Sequence, residues 1–182
     1  MVMIKMLHSN ISYEQQAEVL PPLPDGFAEI FLRAHGQMRS RTGFAWEKLN
    51  MEFNVHFVYA GEGELHVDDR VYHVGKHDVF VLFPHCFTSY HDFPLSPWSY
   101  DWFTISIPAG HPVLTQLCVT PEQPVCRFPE NSPAWHQILR LSATLFAGKI
   151  TPLDNVAATW ELLRLLESDR RRQLPEAAER IK

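Results

Sequence analysis

Only three cysteines stand in 182 residues, Cys86, Cys118 and Cys126, and no two form a C-x-x-C pair. That scarcity excludes a disulfide framework and fits a reducing compartment. Basic charge is also short. Sixteen Lys and Arg face 21 Asp and Glu, for a formal net charge of -5, so the chain offers no phosphate-binding surface of the usual nucleic-acid kind. No run of 18 apolar residues is present, which excludes a transmembrane helix. Met1 to Leu20 lacks the apolar core and small-residue cleavage pattern of a signal peptide, so a cytoplasmic protein is expected. No glycine-rich phosphate loop and no G-x-S-x-G elbow occurs. What remains is 46% apolar, 12% aromatic and rich in histidine, with ten. Such a chain can bury one domain core and is too apolar for a disordered tail.

Residues 1–27 read as an N-terminal arm, because periodicity is weak and Pro21, Pro22 and Pro24 oppose regular structure. Ala28–Ala34 reads as a first strand, and Gly36 to Gly43 as a polar, basic loop. From Glu52 onward the signal is β. Phe53–Tyr59 is aromatic and β-branched, Glu64–Asp68 and Arg70–Val74 alternate, and Val79–Phe83 is wholly apolar. Gly61 and Gly63 supply positive φ for a tight turn. Trp98–Ile107 is a long strand closed by Pro108 and Gly110. After residue 110 the period becomes helical. Pro133–Ala147 carries Trp135, Ile138, Leu139, Leu145 and Phe146 on one stripe. A second helix opens near Thr151-Pro152 and runs to about Arg171. Leu174-Pro175 reads as a break, and Glu176–Lys182 as a helix that begins and stops.

Six histidines, His56, His66, His73, His77, His85 and His91, fall in the β region, yet no H-x-H, H-x-x-x-H or facial-triad spacing is found. We therefore expect no metal site, no cofactor and no enzyme. Cys86 and Ser89 lie near His85 and His91 without the context of a nucleophile. Trp98, Tyr100 and Trp102 share one face of their strand, and Phe103 and Ile105 take the opposite face. Tyr100 and Trp102 suit a small polar ring stacked in a concave pocket. His91, with Arg33 or Arg39, is the candidate for fixing its orientation. On the second helix, Trp160, Leu162, Leu163 and Leu166 are expected at a two-fold interface.

Taken in order, HFVYAGEGELHVDDRVYHV, Gly75-Lys76-His77-Asp78 leading to Pro84, a polar loop ending near Ser89-Tyr90-His91, and Pro97-Trp98-Ser99-Tyr100-Asp101-Trp102-Phe103 resemble the N-terminal sensor domain of AraC-family transcription regulators. The resemblance covers roughly residues 28–174. It implies a cupin-like antiparallel β-barrel, of the double-stranded β-helix or jelly-roll type, followed by two α-helices. It implies a small effector, a sugar by analogy, held near His91, Tyr100 and Trp102, with Arg39 or Arg41 as the pocket arginine. An arm at 1–27, a sensor and dimerisation domain at 28–172, and a linker at 173–182 leading to absent helix-turn-helix motifs complete the expectation. The effector would act on DNA only through those motifs. The alternative is a metal-dependent cupin enzyme, an isomerase or dioxygenase, whose metal needs several His or Glu side chains meeting inside the barrel.

Overall fold

The computed structural model describes residues 4–10, 13–41, 43–148 and 150–178, with side chains described between 13 and 167. Eleven strands and two α-helices follow one another along the chain. The strands are β1 Ile4–Asn10, β2 Tyr13–Val19, β3 Phe31–Ser40, β4 Ala45–Leu49, β5 Phe53–Ala60 and β6 Gly63–Val67. They continue with β7 Arg70–Val74, β8 Asp78–Leu82, β9 Phe87–Asp92, β10 Ser99–Ser106 and β11 Val125–Arg127. The helices are α1 Pro133–Phe146 and α2 Pro152–Ala178. None of the described helices is long and apolar enough to cross a membrane.

The strands form two antiparallel sheets. One has seven strands in the order β1-β2-β3-β10-β5-β8-β11, the other four in the order β4-β9-β6-β7. Neither closes on itself, which corrects the expected closed barrel. The reason lies at the edges. β3 is bonded by β10 on one side and by β2 on the other, and the outer edge of β8 is taken by β11. The large sheet therefore ends at β1 and β11, and neither is paired with β4 or β7. The result is two sheets stacked face to face.

The centre of the large sheet is buried on both faces. One face turns Leu32, Val55, Phe57, Phe103 and Ile105 towards Trp135, Ile138, Leu145, Leu162 and Leu166 of the helices. The other turns Val58, Phe80, Trp98 and Tyr100 towards Leu65, Val67, Val74 and Tyr90 of the small sheet. Each such apolar side chain contributes roughly 1.5–3 kcal/mol by leaving water.

Several local devices hold these layers. Gly61 takes φ of 85°, as a tight turn requires, whereas Gly63 is ordinary extended strand. In the Gly75-Lys76-His77-Asp78 turn, the Asp78 carboxylate accepts the Gly75 N–H (2.8 Å) and the Arg127 Nε–H (2.8 Å), tying the turn to β11. Buried Asp92 accepts the N–H of Phe44 (2.6 Å) and of Trp98 (3.0 Å), fixing the chain entering β4 and β10. Ser132 caps α1 by accepting the Trp135 N–H. Thr151 and Asp154 cap α2 reciprocally.

Four further expectations change. Residues within 1–27 include two strands, β1 and β2, that prolong the large sheet. The stretch from Gly36 to Ser40 is strand, not loop, because both of its edges find partners. Phe87–Asp92 is a strand of the small sheet. The backbone of α2 passes through Leu174-Pro175 without a break. A proline deletes one N–H from the helix ladder, and the surrounding bonds carry it on. The linker expected at 173–182 falls partly outside the described residues, at 179–182.

Asn155, buried on α2, closes the junction of helix and sheet. Its Oδ1 accepts the Leu32 N–H and its Nδ2 donates to the Leu32 carbonyl, both at 2.8 Å. Asn155→Leu strands both backbone groups, at about 1–3 kcal/mol each. We expect a loss of about 2–5 kcal/mol, measured as a fall in the urea midpoint at unchanged slope. His35, fully buried against Phe146, is pushed by burial down to about 4. The unfolded chain therefore takes up a proton near pH 6.5 that the fold refuses until about pH 4. Stability present above that window is lost as pH falls through it, by up to about 3 kcal/mol. Thermal melts at pH 7 and 4.5 are expected to show a smaller acid-induced fall in Tm for His35→Phe than for the parent chain.

A candidate ligand cleft and an outer histidine cluster

Between the sheets, towards the β2 edge, lies a cleft of about 490 Å³, within the usual range for small-molecule sites. Strand parity builds it. On β10, Tyr100, Trp102 and Thr104 share the inward face. On β5, Asn54 and His56 lie beside them, His56 directly opposite Trp102. Tyr90 of β9 and Trp46 of β4 close the other side, and Tyr13 of β2 the mouth. Trp102 reaches its position only because residue 36 has no side chain. A Cβ there would come within 2.4 Å of the indole and 2.7 Å of the Gln16 carbonyl.

The walls are aromatic and the polar groups few. Tyr90 and Tyr100 hydroxyls lie 3.2 Å apart, and burial pushes both phenols up, so they stay neutral. The His56 ring stacks on Phe80 at 4.3 Å and 9°. Burial pushes it down to about 3, with Lys48 adding to the effect. It is thus a neutral imidazole, and its buried Nδ1 has no hydrogen-bond partner among the described residues. Lys48 sits over the Trp46 ring at 5.0 Å. Glu52 lines the cleft and pairs with Arg33 at 2.7 Å.

Of the residues expected at the site, Tyr100 and Trp102 line this cleft. Arg33 is exposed, at the rim through Glu52. Arg39 lies across the sheet, in a pocket of about 340 Å³ against α1, with Asp101, Tyr59 and Ser142. Burial raises the Asp101 carboxyl, which accepts hydrogen bonds from the Tyr59 hydroxyl (2.7 Å) and Ser142. Arg41 pairs with Glu14. His91 faces away from the cleft. β9 alternates, so Tyr90 points inward and its neighbour outward. Leu162, Leu163 and Leu166, expected at a dimer interface, are buried against the chain's own sheet and α1. Trp160 is 45% exposed.

His56, Trp46, Asn54 and Tyr90 were not among the expected site residues. For His56 the signal was there, since it lies two positions from both Asn54 and Val58 on a strand paired with the Trp102 strand. For Tyr90 it was hidden by reading β9 as a loop.

His91 instead joins a second feature. On the outer face of the small sheet, the ligand atoms of Glu64, His66 and His91 all lie within 4.8 Å of one another. This cluster overturns the expectation of a chain without metal ligands and without enzymatic capacity. Two imidazoles and a carboxylate, converging with one side open, are a donor set used by catalytic zinc. Linear spacing hid it, because His91 comes from a different strand.

No curated protein matches the chain. Among solved structures, the AraC-like transcriptional activator CuxR superposes with a TM-score of 0.53 at 10% identity, over 86% of this chain and 55% of that one. AerE from Microcystis aeruginosa superposes with 0.50 at 13% identity, over 71% of this chain and 55% of that one. An RmlC-like cupin from Shewanella frigidimarina reaches only 0.42 at 18% identity, over 59% of this chain and 86% of that one. At these identities the likeness concerns the fold alone, and this chain spans about half the length of the first two. The description "AraC-like ligand binding domain" matches residues 26–172, which include every residue of the cleft except those of β2. The chain therefore belongs to the family of AraC-like ligand binding domains.

Proposed function

We propose that the chain is the effector-sensing part of a bacterial transcription regulator and that the cleft binds a small polar ligand of sugar-like chemistry. The observation that carries the reading is the pairing of flat aromatic walls with a buried, neutral His56 whose Nδ1 lacks a partner. Trp102 and Trp46 offer faces for the C–H side of a sugar ring. His56, Asn54, Thr104 and the tyrosine hydroxyls offer the few directional bonds that fix its orientation. Tyr13 brings β2 to the mouth of the same cleft, so a ligand seated there would touch the segment preceding the matched domain. Action on DNA would pass through helix-turn-helix motifs outside this chain.

Trp102→Ala should abolish binding in calorimetric titration against a panel of mono- and disaccharides that includes a binder for the parent chain. Gly36→Ala should weaken it at least tenfold by displacing the same indole. Unchanged affinity in both variants would remove this wall from the site. Self-association belongs to the same reading. Leu153 and Trp160, seven residues apart and both exposed, share one face of α2. Trp160→Glu should shift the sedimentation coefficient from dimer to monomer without changing the unfolding free energy of the monomeric fold by more than about 1 kcal/mol.

A second reading is a metal-dependent enzyme. One observation favours it, the convergence of Glu64, His66 and His91, which ligand sensing in the cleft leaves unexplained. Its test is hydrolysis of 4-nitrophenyl acetate by zinc-loaded and chelator-treated protein. Zinc-dependent turnover lost in His91→Ala supports a metal centre able to activate water, and equal rates remove hydrolysis from this reading.

A further inference from the structure

We propose that Glu64, His66 and His91 form a binding site for one divalent transition-metal ion of the zinc or nickel type, on the outer face of the small sheet and separate from the cleft. The proposal rests on the second reading above only for its chemistry of donors, since the site stands or falls by binding alone.

The backbone places the three donors. Glu64 and His91 are direct cross-strand partners on β6 and β9, and His66 follows Glu64 by two residues on the same face. β6 is an inner strand, bonded to β9 on one side and β7 on the other, so the Cα positions are held by ladder bonds on both edges. Leu65, Val67 and Tyr90 on the opposite face anchor the same strands in the core. The donors are therefore carried on rigid structure rather than on a loop.

The distances suit an ion. His66 Nε2 lies 3.2 Å from Glu64 Oε2, and His91 Nε2 lies 3.8 Å from the same oxygen. A tetrahedral ion with bonds of about 2.0–2.1 Å has ligand atoms about 3.3–3.4 Å apart. One edge is already at that spacing and a second is within half an ångström. The third, from imidazole to imidazole, lies within 4.8 Å, and rotation of side chains with ring centroids 5.6 Å apart closes it. Two nitrogen donors and one oxygen select a borderline metal over calcium or magnesium, which prefer all-oxygen shells. The three side chains are between 35% and 41% exposed, so the remaining coordination positions open to solvent. Nearby His73, opposite Glu64 on β7, is turned to Glu62 at 3.6 Å instead. An ion here would tie β6 to β9.

The competing account is a surface carboxylate that merely pairs with two histidines. Calorimetry of the chelator-treated chain with zinc chloride, backed by elemental analysis after dialysis, separates the two. One zinc per chain is expected. His66→Ala and His91→Ala should each weaken binding at least tenfold, and the double variant should abolish it. Trp102→Ala in the cleft, and His111→Ala in the connection between β10 and β11, where its Nδ1 accepts the Val113 N–H, should bind zinc as the parent does, which keeps this result distinct from failure of the cleft reading. Substitutions at half-exposed strand positions leave the core intact, and each variant's thermal midpoint checks this. Absence of saturable binding, or equal affinity in the double variant, overturns the proposal.

Discussion

Strand β10 is hydrogen-bonded along both edges, to β3 and β5, and covered on both faces. The rest of the structure depends on that double confinement. A strand exposed on one side can slip by a residue and still bury something. Here a slip would exchange Tyr100 and Trp102 with Asp101 and Phe103, driving a carboxylate into the aromatic layer and an indole into the helices. Asp101 is fixed on the helix side by Tyr59 and Ser142, and Trp98 on the other by Asp92. The alternation along one strand thus decides which residues meet the ligand space and which meet α1 and α2.

The cleft exists because side-chain volume is unevenly distributed along that inner face. Towards the Trp98 end, Phe80, Tyr90 and Trp98 fill the gap between the sheets. Towards the β2 edge the large sheet offers Ala17, Ala34 and Gly36, and Ala17 lies directly opposite Gly36. Small residues on three neighbouring positions leave room that Trp102 only partly occupies. The same edge is where β2 caps β3 and prevents closure. An open pair of sheets and a cleft at its rim are therefore one structural fact, and the expected closed barrel would have had neither this mouth nor β2 lining it.

Much of this was legible in the sequence. The turns at Gly61 and Gly75, the alternating β6 and β7, the aromatic β10 and the two helices follow from local chemistry, and their order carried the family. What failed shares one cause. Gly36, read as a loop residue, is a strand glycine whose missing side chain is required by an indole 66 residues further on. β9, read as a polar loop, alternates over only six residues between Pro84 and Pro94. His66 and His91 become neighbours through a strand pairing, not through spacing. Leu162, Leu163 and Leu166 were a surplus on the helix alone and are consumed by the chain's own sheet. Each of these is a long-range contact, for which a local pattern holds no information.

Adjacent residues of β9 serve the two faces of the small sheet. Tyr90 points into the cleft and His91 into the outer cluster. Adjacency does not by itself make them communicate. Coupling requires that occupancy of one site change the free energy of an element the other site also feels. β9 is the element the two sites share, since it is bonded to β4, which carries Trp46, and to β6, which carries Glu64 and His66. A ligand pressing Trp46 and Tyr90 outward would act on the strand pair that an ion would clamp. If the sheet is stiff the two sites are independent, and if β4 and β9 shift against β6 each occupant alters the other's affinity by the same factor. The ladder between β6 and β9, rather than either set of side chains, is the structure through which such coupling would pass.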